Sequence, residues 1–279
     1  MSYFAIIQVI SFFILVALFN INIDIFNSSK SFLILTSNNI FFFIVLSITP
    51  IVLNFFKFFY FLRHFRLHLP FISCAFPICA TVPLNIILPA KSGDFIKFFW
   101  IRNYSDFSKK KTTFICISER LLDLATITFI ITASFLLSFI PSKIIYISIF
   151  FLLLLIFFIL LKYRQNSFLF LKLAFLINTF RWTVNVSVFS FLISSIHSEK
   201  NINIIDTFIH ASVSIIIGIL PISLWGFGTR ESYLITVFPD SLTLNTLFNV
   251  GIEYITLFYW IPALILTPFS VYFFTKKRG

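Results

Sequence analysis

The chain has 279 residues, of which 59% are apolar and only 11% charged, with a mean hydropathy of +1.02. Soluble globular domains carry about 25% charged residues, so this composition excludes a water-soluble enzyme and indicates a polytopic α-helical membrane protein. The formal charge of +11 does not point to nucleic acid, because the basic residues fall in short clusters between apolar runs, the pattern that orients membrane proteins.

About 20 apolar residues cross the hydrocarbon core as a helix. The first such run, Tyr3 to Ile21, lacks a basic segment before it and a small-residue cleavage site after it, so it reads as a retained span. A polar turn around Asp24–Lys30 leads to a second span, Ile40 to Tyr60. Lys57, Arg63 and Arg66 then read as a basic loop, with His64 and His68 solvated beside the arginines. Next comes Pro70–Pro89, with prolines at 70, 77, 83 and 89. Interior prolines remove backbone hydrogen bonds and kink or break a helix. In a bilayer the freed carbonyls need protein or cavity water to satisfy them.

That break, Leu84–Lys97, continues through Lys91, Gly93, Asp94 and Lys97. An apolar piece too short to span, Phe95–Ile101, and the basic run Lys109–Lys111 follow. Further spans are expected at Thr113–Ile140, Ile144–Leu161, Phe168–Ile196 and Ile204–Leu220. A second break, Ile219–Glu231, holds Pro221, Gly226, Gly228, Arg230 and Glu231. A short apolar piece to Phe238, a turn at Pro239–Asp240 and a last span of Thr246–Phe274 complete the chain before Lys276, Lys277 and Arg278.

The expected fold is all-α: one integral membrane domain over 1–279, a helix bundle of about seven to nine spans. Two Pro/Gly-broken or re-entrant segments interrupt it, and their pairing raises an inverted repeat. Both termini are expected inside. That places Lys57, Arg63, Arg66, Lys91, Lys97, Arg102, Lys109–Lys111, Lys162, Arg164, Lys172 and Lys276–Arg278 on the inner side, and leaves Lys30, Lys143 and Lys200 outside. The positive-inside rule favours that arrangement. Cys74, Cys79 and Cys116 show no ligand or disulfide spacing and read as small buried apolar residues.

Several constellations could carry function. Each break runs from an apolar segment through Leu-Pro to glycine and an acid near a base, and four of the six glycines (Gly93, Gly218, Gly226, Gly228) lie in or beside them. Paired interrupted segments mark transport sites, because a helix ending inside the membrane offers amides to anions and carbonyls to cations. Two unrelated interfacial loops would also collect these residue types. Glu119 and Asp123 share a helical face, with Arg120 three residues before Asp123. They read either as an acidic helix start favoured by the dipole or as site residues. Arg181, flanked by Asn178 and Asn185, makes a polar stripe in an apolar span and is expected to face the bundle, since a lipid-facing arginine is costly. Asn245, Asn249, Glu253 and Thr256 form another stripe, and Asp206, His210 and Ser214 a shorter one. Both read as helix-to-helix hydrogen bonding. Phosphate-loop, HExxH and Gly-x-Ser-x-Gly patterns are absent.

The order Asn85…Leu88-Pro89…Gly93-Asp94, then Glu119-Arg120-x-x-Asp123, then Gly218-x-x-Pro221-x-Ser223-x-x-Gly226-x-Gly228-x-Arg230-Glu231 resembles the transmembrane region of lysylphosphatidylglycerol synthases. The same module occurs alone in flippase-like membrane proteins often encoded with envelope glycan enzymes. The resemblance covers most of the chain, and nothing in it resembles the soluble aminoacyl-transferring domain. Lys91 and Lys97 stand where the family usually shows arginine, and Asp94 where it shows glutamate.

The resemblance implies translocation or binding of a phosphate-bearing lipid for envelope biogenesis in the inner (plasma) membrane. The partners it implies are a membrane lipid and envelope glycan enzymes, not nucleic acid. Asn85, Lys91, Asp94, Lys97, Glu119, Arg120, Asp123, Arg181, Ser223, Gly226, Gly228, Arg230 and Glu231 are the expected substrate-binding residues. No catalytic residue, metal or cofactor is expected. Two other readings stand beside it. One is an intramembrane transferase acting on a lipid-linked sugar, with the carboxylates as metal ligands or bases. The other is a non-catalytic scaffold for envelope glycan synthesis.

Overall fold

The computed structural model describes residues 40–87, 93–138, 167–195, 204–219, 228–238 and 244–276, and among these every element is a helix. The expected spans at Tyr3–Ile21 and Ile144–Leu161 lie outside the described residues. In order come α1 (Ile40–His64), α2 (Phe71–Ile87), α3 (Phe95–Tyr104), α4 (Lys109–Ser138), α5 (Ser167–Ser195), α6 (Ile204–Ile219), α7 (Thr229–Val237) and α8 (Leu244–Ile255). A π-helical turn, Thr256–Trp260, joins α8 to α9 (Ile261–Lys276).

Among the described residues three stretches are long and apolar enough to cross a bilayer: Val45–His64, Phe168–Ser194 and Thr246–Phe269. The helical bundle is therefore that of an integral membrane protein. The helices α1 and α5 share the most extensive interface, α9 lies along α2, and α6 packs on α4, α5 and α7. Pro50, Pro77, Pro83 and Pro268 sit inside helices without ending them. The expectation that the prolines at 77 and 83 break the chain is thus corrected, because α2 runs through both and stops only at Ile87. Neighbouring helices can satisfy the carbonyls such prolines free in a membrane.

At each break a helix gives way to a shorter one. After Ile87 the chain resumes at Gly93 and forms α3, ten residues long and packed against α2; after Ile219 it resumes at Gly228 and forms the nine-residue α7, packed against α6. At 1.5 Å per residue neither reaches ~30 Å.

Aromatic contacts fix the bundle's polarity. Tyr60 stacks on Phe170 at 6.4 Å and Phe65 meets Phe114 at 6.2 Å. The end of α1 therefore lies beside the starts of α4 and α5, and one end of the bundle collects Arg63, Arg66, Lys109–Lys111 and Lys172. Two apolar cores occupy different levels. One joins Phe58, Phe61, Leu62, Trp100, Ile115 and Ala174; the other joins Ile127, Trp182, Val186, Phe189, Leu247 and Tyr254. On α4 and α5 the segments between these cores carry Glu119–Asp123 and Asn178–Arg181. The charges thus lie between two greasy layers.

Candidate functional site

Four helices bring seven ionisable side chains together at that level. Lys57 comes from α1, Asp94 caps α3 and Lys97 sits in its first turn, Glu119, Arg120 and Asp123 come from α4, and Arg181 from α5. Helical spacing puts Glu119 and Asp123 on one face of α4, where Glu119 serves two cations and Asp123 three. Glu119 Oε1 accepts from Lys57 Nζ at 2.8 Å and from Lys97 Nζ at 2.7 Å. Asp123 Oδ1 accepts from Lys57 at 3.2 Å and from Arg181 Nη2 at 2.8 Å. Asp94 pairs with Arg120, lies 3.6 Å from Lys97 Nζ, and accepts from Asn85 Nδ2 at 3.4 Å. Arg120 Nη1 reaches Asp123 Oδ2 at 3.9 Å.

The second layer is ordered too. Arg181 Nε donates to Asn178 Oδ1 at 3.0 Å, and Asn178 Nδ2 donates to Thr126 Oγ1 at 2.7 Å. The Arg181 guanidinium lies 4.6 Å from the Trp182 ring, and the Lys97 ammonium 5.3 Å from Phe58. These contacts orient the Arg181 and Lys97 head groups beside their carboxylate partners.

A cavity of about 140 Å³ opens onto these charges, well beyond the about 10–15 Å³ a single water needs. Lys57, Asp94, Lys97, Arg120, Asp123 and Arg181 line it, together with Asn54, Asn85, Asn185, Tyr254 and Tyr259. Burial is graded across it. The Lys57 side chain is 1% exposed at the floor and that of Arg120 40% exposed at the rim. Charges out of water attract an opposite charge strongly, but each is costly if left unpaired. An anion arriving among them can therefore exchange partners with the carboxylates, whereas bulk water would screen the same contact.

Arg230 and Glu231 are built differently. Gly228, at φ +86°, occupies a backbone region that favours glycine and opens α7. Its N–H donates to Glu231 Oε2 at 2.6 Å, while Glu231 Oε1 lies 3.5 Å from Arg230 Nη2. The Arg230 guanidinium sits 4.8 Å from the Tyr254 ring and 5.4 Å from Phe189, and the residue is 2% exposed. Tyr254 is also a wall of the cavity. The pair is therefore a clasp behind that wall and does not line the cavity. On the far side Glu231 presses on Gly251, where any Cβ would overlap its carboxylate. Gly251→Ala is expected to cost about 1–3 kcal/mol, as overpacking of a tight contact does, read as a lower unfolding midpoint in detergent; an unchanged midpoint would show that Glu231 is not fixed there.

Of the expected site residues, the structure thus assembles Asn85, Asp94, Lys97, Arg120, Asp123 and Arg181 around one cavity, joins Glu119 to Lys97 beside it, and sets Gly228, Arg230 and Glu231 behind it. Lys91, Ser223 and Gly226 lie outside the described residues. One alternative is excluded and one expectation is corrected. The helix carrying Glu119 begins at Lys109, so Glu119 and Asp123 lie about three and four turns in and are not an acidic helix start. Lys57 belongs to no loop: it is buried in α1, at the centre of the ion network. Its signal was in the sequence, as the one charged residue in the run Ile40–Tyr60. Ser47, Pro50, Asn54 and Lys57, at helical spacing, all face the cavity.

In the shorter stripe His210 ties helices together, its Nδ1 3.0 Å from Tyr233 Oη and so linking α6 to α7, whereas Ser214 Oγ donates within its own helix to Ala211 O. Among the described residues no group of three or more His, Cys, Asp or Glu is arranged to hold a metal ion.

The family described as the lysylphosphatidylglycerol synthase TM region matches residues 5–270. The chain belongs to that family. No curated protein matched it.

Proposed function

We propose that this member of the family is a flippase-like protein that binds a phosphate-bearing lipid headgroup in the charged cavity and passes it across the bilayer. The observation that carries this reading is the seven-residue ion network, six of its members lining one cavity, held between two apolar layers. Such an arrangement is expensive in a membrane unless a polar group has to travel through it. Lys97 and Arg181 are the phosphate contacts, Arg181 by a guanidinium fork suited to phosphate oxygens. Asp94, Glu119 and Asp123 hold the cations until the headgroup replaces them, and the acyl or prenyl tails stay in hydrocarbon. The gathering of basic side chains at one end of the bundle supports a cytoplasmic face there, with both termini cytoplasmic and the inner (plasma) membrane as the site of action.

The test is leaflet exchange of labelled phospholipid and polyprenyl-phosphate lipid in vesicles containing the purified protein. Lys97→Met is the sharpest variant, since Glu119 keeps Lys57 and Asp94 keeps Arg120 when Lys97 is gone. Exchange is expected to fall about tenfold or more, the loss of one interaction worth ~1.4 kcal/mol in the transition state, with the helical signal intact. Lys97→Arg should keep most of it. Exchange unaltered in Lys97→Met would remove the cavity from the path.

A further inference from the structure

One buried carboxyl takes no part in the ion network. Glu253 lies on α8, inside the span Thr246–Phe269, and is 2% exposed. The sequence sets it in a stripe with Asn249 and Thr256 that reads as helix-to-helix hydrogen bonding, yet Thr256 Oγ1 donates to Ile252 O of its own helix at 2.8 Å. Among the described residues no cation and no hydrogen-bond donor reaches the Glu253 carboxyl. The elements packed on α8 are α5, α7 and the π-helical turn. Their charged and titratable groups are Lys172 and Arg181, then Arg230, Glu231 and Tyr233, then Tyr259. Arg181 goes to Asp123, Arg230 to Glu231 and Tyr233 to His210, while Lys172 stands over Phe168 and Tyr259 packs edge-on to Tyr254. None of them neutralises Glu253.

An ionised carboxyl left alone at membrane depth is costly. A proton removes the charge and turns the group into a hydrogen-bond donor. Thr256, three residues on and so on the same face, has committed its hydroxyl hydrogen to Ile252 and offers only an acceptor. The surroundings of Glu253 thus suit a carboxyl that carries its proton.

A second observation concerns position. Tyr254, next in the chain, is a wall of the charged cavity, and so are Phe258 and Tyr259 in the π-helical turn that begins at Thr256. Such turns inside α-helices are rare and are frequent at functional sites. Glu253 is therefore joined through less than two turns of helix to the surface that a headgroup passes.

We propose that Glu253 is a proton-binding site that takes up a proton with each anionic headgroup and releases it on the other side, so that a proton gradient drives lipid translocation. The proton comes from water on one face and returns to water on the other, and no bond except the carboxyl O–H forms or breaks. Uptake accompanies the headgroup because a carboxylate and a phosphate repel each other through a medium of low dielectric. This deepens the translocation reading by naming its energy source, and rests on it.

Two measurements separate the failure of one from the failure of the other. The first follows the proton alone. The infrared C=O stretches of the solubilised protein should include a protonated-carboxyl band that fades as pH is raised and that Glu253→Gln removes. Glu253→Asp should shift that band if Glu253→Gln does not fold. The second uses vesicles with an imposed pH gradient and the membrane potential clamped at zero. Labelled phosphatidylglycerol and labelled polyprenyl-phosphate lipid are tried in turn, each against protein-free vesicles. With one proton per lipid, a gradient of one pH unit should enrich the exchanged lipid up to about tenfold in the leaflet facing the alkaline side, whichever way the protein is inserted. Glu253→Gln, of nearly the same shape and unable to titrate, should abolish the enrichment while keeping its unfolding midpoint, and Glu253→Asp should retain most of it.

Enrichment on the acidic side, or equal enrichment in Glu253→Gln and the wild type, would overturn the inference. So would a carboxyl band unchanged in Glu253→Gln, or an enrichment that follows a sodium gradient instead. Exchange that equalises the leaflets despite the pH gradient would leave translocation standing and end proton coupling alone. No exchange of either lipid would end both.

Discussion

Asp123→Asn is expected to destabilise the protein by about 3–5 kcal/mol, the range for stripping one partner from a buried ion pair. Asp123 reaches three cations: Lys57 at 3.2 Å, Arg181 at 2.8 Å and Arg120 at 3.9 Å. Lys57 and Arg120 retain Glu119 and Asp94, but Arg181 loses its carboxylate, and an asparagine dipole is a poor substitute for a charge. The loss should appear as a lower midpoint in an SDS-unfolding titration and as absent leaflet exchange. Removing the stranded cation too, in Asp123→Asn with Arg181→Met, should recover a large part of the stability but none of the exchange, since Arg181 is proposed to meet the phosphate. A wild-type midpoint for Asp123→Asn would mean that the network is solvated and its distances carry no energy.

The parts of this site legible in the sequence are those where chemistry and periodicity coincide. Arg181 in the middle of an apolar span must find a partner, and its flanking asparagines indicated the face; the structure supplies Asp123 on that face. The two breaks were legible because proline, glycine and charge coincide within an apolar stretch, and after each comes a short helix packed against its predecessor. Lys57 was misplaced because composition alone cannot distinguish a basic residue at the end of a span from one a turn or two inside it. The Ser47, Asn54, Lys57 spacing could have made that distinction. The prolines of α2 misled for a physical reason: a proline removes one hydrogen bond, but whether the helix ends depends on what lies beside the freed carbonyl, which is tertiary information. The separation of Arg230 and Glu231 from the cavity was likewise beyond reach, because it depends on Tyr254, more than twenty residues further along the chain, standing between them and the open space.

That intervening ring leads to the second large effect. Glu231→Gln should cost about 3–5 kcal/mol, because it leaves Arg230 buried and unpaired against Tyr254 and Phe189. Arg230→Met with Glu231→Gln should restore most of that stability, since an unbranched apolar side chain can pack against the two rings, themselves in contact at 4.6 Å, and no charge remains to be stranded. The two substitutions should not restore leaflet exchange. Tyr254 faces Arg230 on one side and the cavity on the other, and a cation over a desolvated ring holds it by up to about 2 kcal/mol. Without the guanidinium the ring loses that hold and keeps only its contacts with Phe189, Phe258 and Tyr259. A double variant that folds like the wild type but exchanges lipid at least about tenfold more slowly, ~1.4 kcal/mol on the barrier, would identify the clasp as the element that positions the cavity wall. Full exchange in that variant would reduce it to a strut between α7 and α8, and the passage would then be defined by the Lys57–Arg181 network alone.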